Sequence, residues 1–341
     1  MEYDVTIGIP LYEAELYIKR SLESALSQSY PSIEFLIIDD CGHDNSMTVV
    51  REIQKTHSRG KDIRILSHSS NMGVSASRNQ IIDEARGRYL YFMDSDDVIS
   101  KDAISLLMDA VGANDAEIAF GSYEKIETSG KRTLYQYPSL LLTGKDQLAS
   151  FAYRRYGGIQ ASACNYLVKV SLLRDSHLRF IDADYWEDFV FTFDLVTFVS
   201  RAVLLPDITY SYYCREHSLS NYQGRAVISK SEILRNAQTI HHLKETSPIL
   251  YNKVYYPNRC YNIVMTDFYI ACHIVKRRKQ IVPSVTNREM KHIMSHPATF
   301  RQILFFRQSC LKNLGLYLLS QLPSSLCVGM IWCIGKMKKL V

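Results

Sequence analysis

Apolar positions along the first third of the chain fall into short continuous runs separated by stretches of helical spacing. Residues 5–9 form a β-rich run closed by Pro10, and Leu16, Ile18, Leu22 and Leu26 then recur at near-helical intervals. After Pro31, residues 33–38 are dense enough in Ile, Leu and Phe for a strand buried on both faces. Asp44 and Ser46 beyond it suit the start of a helix, as caps. The pattern repeats: a run at 63–66 leads to a helix over 75–85, and a run at 88–93 leads to a helix over about 101–111. Such alternation predicts an α/β fold, a mostly parallel sheet with helices on both faces.

Past Asn114 the rhythm becomes irregular. Residues 116–123, 133–137 and 203–213 have strand character, 145–154 reads as a helix, and 226–277 carries Tyr and Leu at helical intervals. The expected organisation is a catalytic domain over 1–225, with halves 1–113 and 114–225, a helical extension over 226–300, and a terminal segment over 301–341. A chain of 341 residues is long enough for one large core plus such an appendage.

Charge adds what periodicity does not. Residues 271–341 hold twelve Lys or Arg against one acid, Glu289, so the tail carries +11; with a total of +5, the rest carries −6. An acidic body with a basic tail calls for a polyanionic surface as partner. Between Lys312 and Lys336 lie 23 residues without a charge, long enough to cross a bilayer as one helix. Gln321, Pro323, Ser324 and Ser325 interrupt that run, so an interfacial anchor or a helix docked on the body competes with a span. Arg301, Arg307, Lys312, Lys336, Lys338 and Lys339 flank it, as suits an anionic headgroup layer. These cations alternate with aliphatic runs rather than stacking aromatics, and no nucleic-acid partner is expected.

The eight cysteines show no C-x-x-C pair, and the N-terminus has no basic start followed by an apolar run. A reduced chain with buried, apolar cysteines is expected, cytoplasmic and peripheral to the inner face of the plasma membrane.

In an open parallel sheet, ligands bind outside the carboxyl ends of the strands. Those ends are acidic here: Asp39-Asp40 after the second run and Asp94-Ser95-Asp96-Asp97 after the fourth. Carboxylates crowded at a strand end repel one another, and a divalent cation with oxygen ligands relieves that. Asp94 and Asp96 are the candidate pair, against the plainer reading that Asp97 or Ser100 caps the next helix. Asp39 and Asp40 suit hydrogen bonds from a nucleobase imide or a ribose hydroxyl.

Taken in order, TIGIPLYEAELYIKRSLESALSQSYPSIEFLIIDD, NMGVSASRN and YLYFMDSDD resemble the nucleotide-binding half of glycosyltransferase family 2, inverting enzymes of the GT-A fold. The resemblance is close over residues 4–110. It implies a nucleotide-diphosphate-sugar donor, most often UDP-linked, and a divalent metal, Mn²⁺ or Mg²⁺. By position, Pro10 and Tyr12 would line the base pocket, and Asp39 or Asp40 would contact uracil or ribose. Asn71, Gly73 and Arg78 would shape the donor pocket, although Arg78 equally suits a structural ion pair. Asp94, Ser95 and Asp96 would form the D-x-D, with Asp96 the more direct metal ligand.

Further on, ACNYLVKVSLLRDSHLRF and YWEDFVF resemble the acceptor side of the polysaccharide and lipopolysaccharide branch. This implies Asp188 as the base and Glu187 as a residue orienting the acceptor or the base, against the reading that both acids merely favour the first turn of a helix. YYCREHSLSN resembles the family's Y-x-R segment, which would bring Arg215 to the leaving diphosphate and His217 to the metal; Cys214 departs from the commoner Y-R pattern. The acceptor expected is a glycan or lipid-linked sugar in cell-surface polysaccharide synthesis. Alternatives are a non-catalytic scaffold of the same fold and a nucleotidylyltransferase, although the latter should carry a Gly-rich loop where IGIPLYEAE stands.

Overall fold

The computed structural model describes residues 3–154, 158–183, 185–215 and 227–341. The chain divides into two compact units: Met1–Leu148, Ala161–Asp182 and Phe191–Ser218 in the first, and Ala149–Gln160, Ala183–Val190 and Leu219–Val341 in the second. This differs from the expected division, because short pieces from the middle of the chain join the C-terminal part.

The first unit opens with the expected alternation: β1 (Tyr3–Leu11), α1 (Ile18–Leu26), β2 (Ile33–Asp39), α2 (Ser46–Thr56), β3 (Ile63–Ser67), α3 (Val74–Glu84) and β4 (Gly87–Phe92). Next come β5 (Val98–Ile99), α4 (Ala103–Asn114), β6 (Ile118–Ile126), β7 (Arg132–Tyr135), β8 (Leu140–Thr143) and α5 (Gln147–Tyr153), the last running across the unit boundary. β9 (Tyr166–Lys169), α6 (Val170–Asp175), α7 (Glu187–Leu195) and β10 (Arg201–Tyr213) follow. All ten strands form one sheet, ordered β3-β2-β1-β4-β9-β6-β10-β5, with β7 on β6 and β8 on β10.

β1 pairs in parallel with both β2 and β4, so the strand order reverses at β1 and the crevice between β1 and β4 is the topological switch point. Position 10 explains how that crevice opens. Alternate residues of a strand turn their N–H and C=O to opposite neighbours. The Gly8 carbonyl accepts from Met93 N–H at 3.1 Å, so residue 10 faces the same side, beyond the last register pair, Gly8 with Phe92. Proline has no N–H to leave unpaired there.

β9 was not predicted. It enters antiparallel between β4 and β6, and the sheet is therefore mixed. Asn165, buried just before it at φ 66°, stitches the junction: its Nδ2 donates to the Gly121 carbonyl at 2.6 Å and its Oδ1 accepts from Thr209 Oγ1 at 2.6 Å.

The second unit is helical: β11 (Ile228–Ser229), α8 (Lys230–Thr246), α9 (Tyr256–Arg277), β12 (Ile281–Val282), α10 (Asn287–Ile293), α11 (Phe300–Leu304), α12 (Cys310–Gln321) and α13 (Ser324–Met337). The uncharged run is split by Leu322-Pro323 into α12 and α13, of 12 and 14 residues. Among the described residues no helix is long and apolar enough to cross a membrane. Leu319, Cys327 and Ile331 instead pack with Val264, Phe268 and Cys272 of α9, so segments 226–300 and 301–341 share one core. In that unit Lys244 and Asp267 form a buried ion pair at 2.6 Å, and Lys244 Nζ also donates to the Ile293 carbonyl at 2.6 Å.

Candidate active site

At the carboxyl ends of β1, β2 and β4, most of the expected donor-side residues come together. Asp40 is buried and fully engaged: Oδ1 accepts from His68 Nδ1 at 2.6 Å and from Met72 N–H at 2.7 Å, and Oδ2 accepts from Gly73 N–H at 2.9 Å. This carboxylate ties β2 to the loop that opens α3. Asp39, half-buried, accepts from Cys41 N–H at 3.2 Å and Ser67 Oγ at 3.3 Å. Asn71 is exposed, its Oδ1 accepting from Gly73 N–H at 3.0 Å. Gly73 precedes α3 at φ 86°, ψ 163°, a backbone region essentially closed to other residues. Pro10 is partly buried, and Tyr12, just past β1, is 43% exposed.

Each carboxylate of the D-x-D has its own guanidinium. Arg78, 3% exposed on α3, donates from Nη2 to Asp94 Oδ1 at 3.0 Å and lies 5.4 Å from the Phe180 ring centroid. Its structural ion-pair reading therefore holds, whatever else it does. Arg215 pairs through Nε with Asp96 Oδ2 and sits 4.8 Å over the Tyr17 ring. Burial, then the charge of Asp94, pushes the Asp96 carboxyl up to about 6 against the pull of Arg215. Ser95 between them is buried.

Asp97 does not cap α4. Its Oδ2 accepts from Tyr210 Oη at 2.7 Å and its Oδ1 from Tyr213 N–H at 2.8 Å, which ties the acidic turn to β10. Burial, with Asp94 and Asp96 beside it, raises its carboxyl well above the ordinary range. Neither Asp44 nor Ser46 is the expected cap of α2, whose cap position is Asn45: Asp44 Oδ1 accepts from Ser46 N–H at 3.0 Å and Oδ2 from Glu15 N–H at 2.9 Å, while Ser46 Oγ accepts from Ala14 N–H at 2.8 Å, so both tie the start of α2 to the loop after β1.

Sequence reasoning missed the clamp beneath the acidic turn. Arg20 on α1 donates to the Asp96 carbonyl at 2.8 Å and stacks 3.8 Å over Tyr213, while Ser21 Oγ donates to the Asp94 carbonyl at 3.1 Å. His68 was missed as well. Only the helical register of Arg20 and Ser21 beneath β4 could have suggested the clamp, and nothing local marks His68.

Glu187 and Asp188 form the first turn of α7, in the stretch that belongs to the second unit. Trp186 ahead of them is at φ 69° and meets Phe189 edge-on at 5.7 Å. His217 lies outside the described residues. Among those residues no group of three His, Cys, Asp or Glu is arranged around a common metal position. The cysteines are free, with Cys164, Cys260, Cys272 and Cys327 buried and Cys333 exposed.

The model for "Glycosyl transferase family 2" matches residues 6–186, more than half of the chain. The chain belongs to glycosyl transferase family 2. Curated relatives include the succinoglycan biosynthesis protein ExoO of Rhizobium meliloti, 27% identical over 64% of this chain and 62% of that protein. The putative teichuronic acid biosynthesis glycosyltransferase TuaG of Bacillus subtilis is 30% identical over 37% of this chain and 49% of its own length. The chain thus aligns with about three fifths of ExoO and half of TuaG. Among solved structures, S. aureus TarS in complex with UDP-GlcNAc matches with a TM-score of 0.57 at 15% identity, over 93% of this chain and 90% of that one. The Pyrobaculum calidifontis mannosyltransferase PcManGT, in complex with GDP-Man and Mn²⁺, matches with a TM-score of 0.54 at 13% identity, over 94% of this chain and 89% of that one. The first unit is accordingly GT-A-like in fold.

Proposed function

We propose that this family 2 enzyme transfers a hexosyl or hexosaminyl group from a UDP-sugar, with inversion, to a hydroxyl of a glycan or lipid-linked acceptor in cell-surface polysaccharide synthesis. The observation that carries the reading is the carboxylate pair Asp94 and Asp96, poised at the switch-point crevice with an arginine on each. The complexes of TarS with UDP-GlcNAc and of PcManGT with GDP-Man and Mn²⁺ support a nucleotide-sugar donor.

In this reading Pro10, Tyr12 and Asp39 face the base and ribose. Asp40 works through the loop it holds, setting Asn71 and Gly73 against the donor. A divalent cation suits the site: Asp94 and Asp96 are hard oxygen donors, and burial followed by the charge of Asp94 raises the Asp96 carboxyl, a cost that a cation would relieve. Asp94 and Asp96 would hold it, and the ion would supply charge to the departing diphosphate. Arg215, released from Asp96, would turn to the same phosphates. Asp188 takes the proton of the acceptor hydroxyl while its oxygen attacks the anomeric carbon. The bond from that carbon to the diphosphate breaks on the opposite face, and the nucleotide leaves with the electron pair. Glu187 orients the acceptor or the base. The basic terminal segment holds the enzyme at an anionic membrane surface, on the cytoplasmic side.

Calorimetric titration with UDP, with and without Mn²⁺ and beside a GDP control, tests the donor side. Binding that requires both uracil and Mn²⁺, and that is lost in Asp96→Asn, is the expected result. Preference for GDP would redirect the donor assignment, and no binding of either nucleotide would leave a non-catalytic scaffold.

A further inference from the structure

The second unit contains a groove, of about 590 Å³, that the sugar-transfer chemistry does not use. Met265 and Phe268 of α9, Leu316 and Leu319 of α12, and Met330 and Ile334 of α13 wall it with hydrocarbon. Its two charged lining residues are cations, Lys312 and Lys338, both exposed. Neither has an acidic partner among the described residues, and the one acid of the tail, Glu289, is already paired with Lys230 at 2.7 Å. Lys312 Nζ is held 5.1 Å over the Tyr261 ring, a position that keeps an ammonium group at the edge of an apolar wall. Leu311 and Leu318 of the lining stand 83% and 51% exposed, and Leu326 and Met337, on the same helix as Met330 and Ile334, stand 59% and 76% exposed, large apolar side chains left to solvent.

We propose that this groove binds one acyl chain of an anionic membrane phospholipid, with Lys312 and Lys338 on its phosphate. The size is in the range of small-ligand sites, the lining is hydrocarbon apart from Tyr261 and the two lysines, too few polar groups for a sugar or a peptide backbone, and the charge among the lining residues is positive. Exposed leucines beside the groove then rest on the neighbouring lipids. The inference rests on reading the terminal segment as a membrane-docking surface, and it narrows that reading from adsorption to capture of a single lipid.

Gly315 permits a sharp test. It lines the groove on α12, and a Cβ built there meets nothing within 4 Å, so a side chain fills the groove without displacing the core. A helix-interior glycine replaced by a larger residue also gains helix propensity. The full chain is titrated with oleoyl-lysophosphatidylglycerol and, separately, oleoyl-lysophosphatidylcholine, read by native mass spectrometry. In parallel it is floated with vesicles of phosphatidylglycerol and phosphatidylcholine or of phosphatidylcholine alone. Expected are one lysophosphatidylglycerol per chain and affinity lowered about tenfold or more in Gly315→Phe and in the Lys312→Glu/Lys338→Glu pair. Gly315→Ala, whose methyl fits the open space, keeps the binding, and unchanged circular dichroism shows that each variant folds. Gly315→Phe binding lysophosphatidylglycerol as the wild type does would overturn the groove assignment and leave the docking surface standing. Failure of the wild type to float with anionic vesicles would instead overturn the docking reading. Tighter binding of farnesyl phosphate than of lysophosphatidylglycerol would replace the phospholipid by a lipid-linked acceptor, and a stable dimer that excludes lipid would replace it by a second copy of the chain.

Discussion

Neighbouring carboxylates in this protein have unlike tasks, and their partners tell them apart. Asp40 spends both oxygens on backbone and His68, and Asp97 spends both on β10. Asp39, Asp94 and Asp96 keep capacity for a ligand. The sequence places all five at strand ends, which is why the site was legible as a region. It could not sort them, because a carboxylate's role is set by donors that arrive from distant segments: Gly73 is 33 positions from Asp40 and Tyr213 is 116 from Asp97. The assignment of Asp188 belongs to this scale too. Asp188→Asn is expected to lower kcat by about 10²–10⁴-fold, the usual worth of a general base, while UDP binding stays at the wild-type level. Glu187→Gln should cost less. Single-turnover rates beside UDP calorimetry measure both, and full activity of Asp188→Asn would remove it from the mechanism.

Elements divide along the same line. β1 to β4 and their helices were readable because continuous apolar runs and helical spacing alternate there. β9 was not, since four residues of an antiparallel strand carry no period long enough to detect, and its place between β4 and β6 is decided by Asn165 and the sheet around it. The loop into α3 is a third kind of case. Its glycine was visible, but the reason for it is backbone geometry: at φ 86° and ψ 163° with free space around a Cβ, only torsion penalises a side chain. Gly73→Ala is therefore expected to cost about 1–3 kcal/mol, with Asp40 losing the N–H donors of Met72 and Gly73. Chemical denaturation gives the stability loss, and the donor KM should rise more than kcat falls. An unchanged KM would mean that the loop does not touch the donor.

At the scale of the whole molecule, two buried groups of the helical unit, Asp267 and His296, tie stability to pH in opposite senses. Removing Asp267 leaves the Lys244 ammonium buried with a carbonyl and a hydroxyl alone, so Asp267→Ala should cost about 3–5 kcal/mol, seen as a lower urea midpoint. His296 sets a pH dependence. Its Nε2 faces Asn313 Oδ1 at 3.0 Å and its Nδ1 lies 3.0 Å from Ala298 N–H, an arrangement that suits the neutral ring. Burial, the largest influence, holds the imidazole below its ordinary 6.5 despite Asn313 Oδ1 and the Ala298 carbonyl, the latter 3.1 Å from Nδ1. The unfolded chain takes up this proton first on acidification. Stability from His296 is thus complete above 6.5 and is lost as pH falls toward the folded value. Asp267 acts in the opposite sense: burial pushes its carboxyl up to about 7, above its ordinary 3.8, so its contribution is lost as pH rises through that window. The difference between wild type and His296→Gln isolates one from the other. The wild-type advantage in unfolding free energy, from urea titrations, should shrink between about pH 7.5 and about pH 5.5, by at most roughly 1.4 kcal/mol per pH unit. A constant difference would show that His296 is protonated alike in both states.

The missing proton on Pro10 reaches further than one rung of the ladder. A cleft between two parallel strands invites its own closure, since each added pair of hydrogen bonds would zip β1 and β4 together and squeeze out the ligand space. With no donor at position 10, the next bond in that direction cannot form, and the ladder from Gly8 to Met93 is its natural end. The opening between β1 and β4 is therefore written into the chain itself: the residue at position 10 cannot donate the bond that would carry the ladder past Gly8 and Met93, so the two strand ends part there without a ligand to hold them apart.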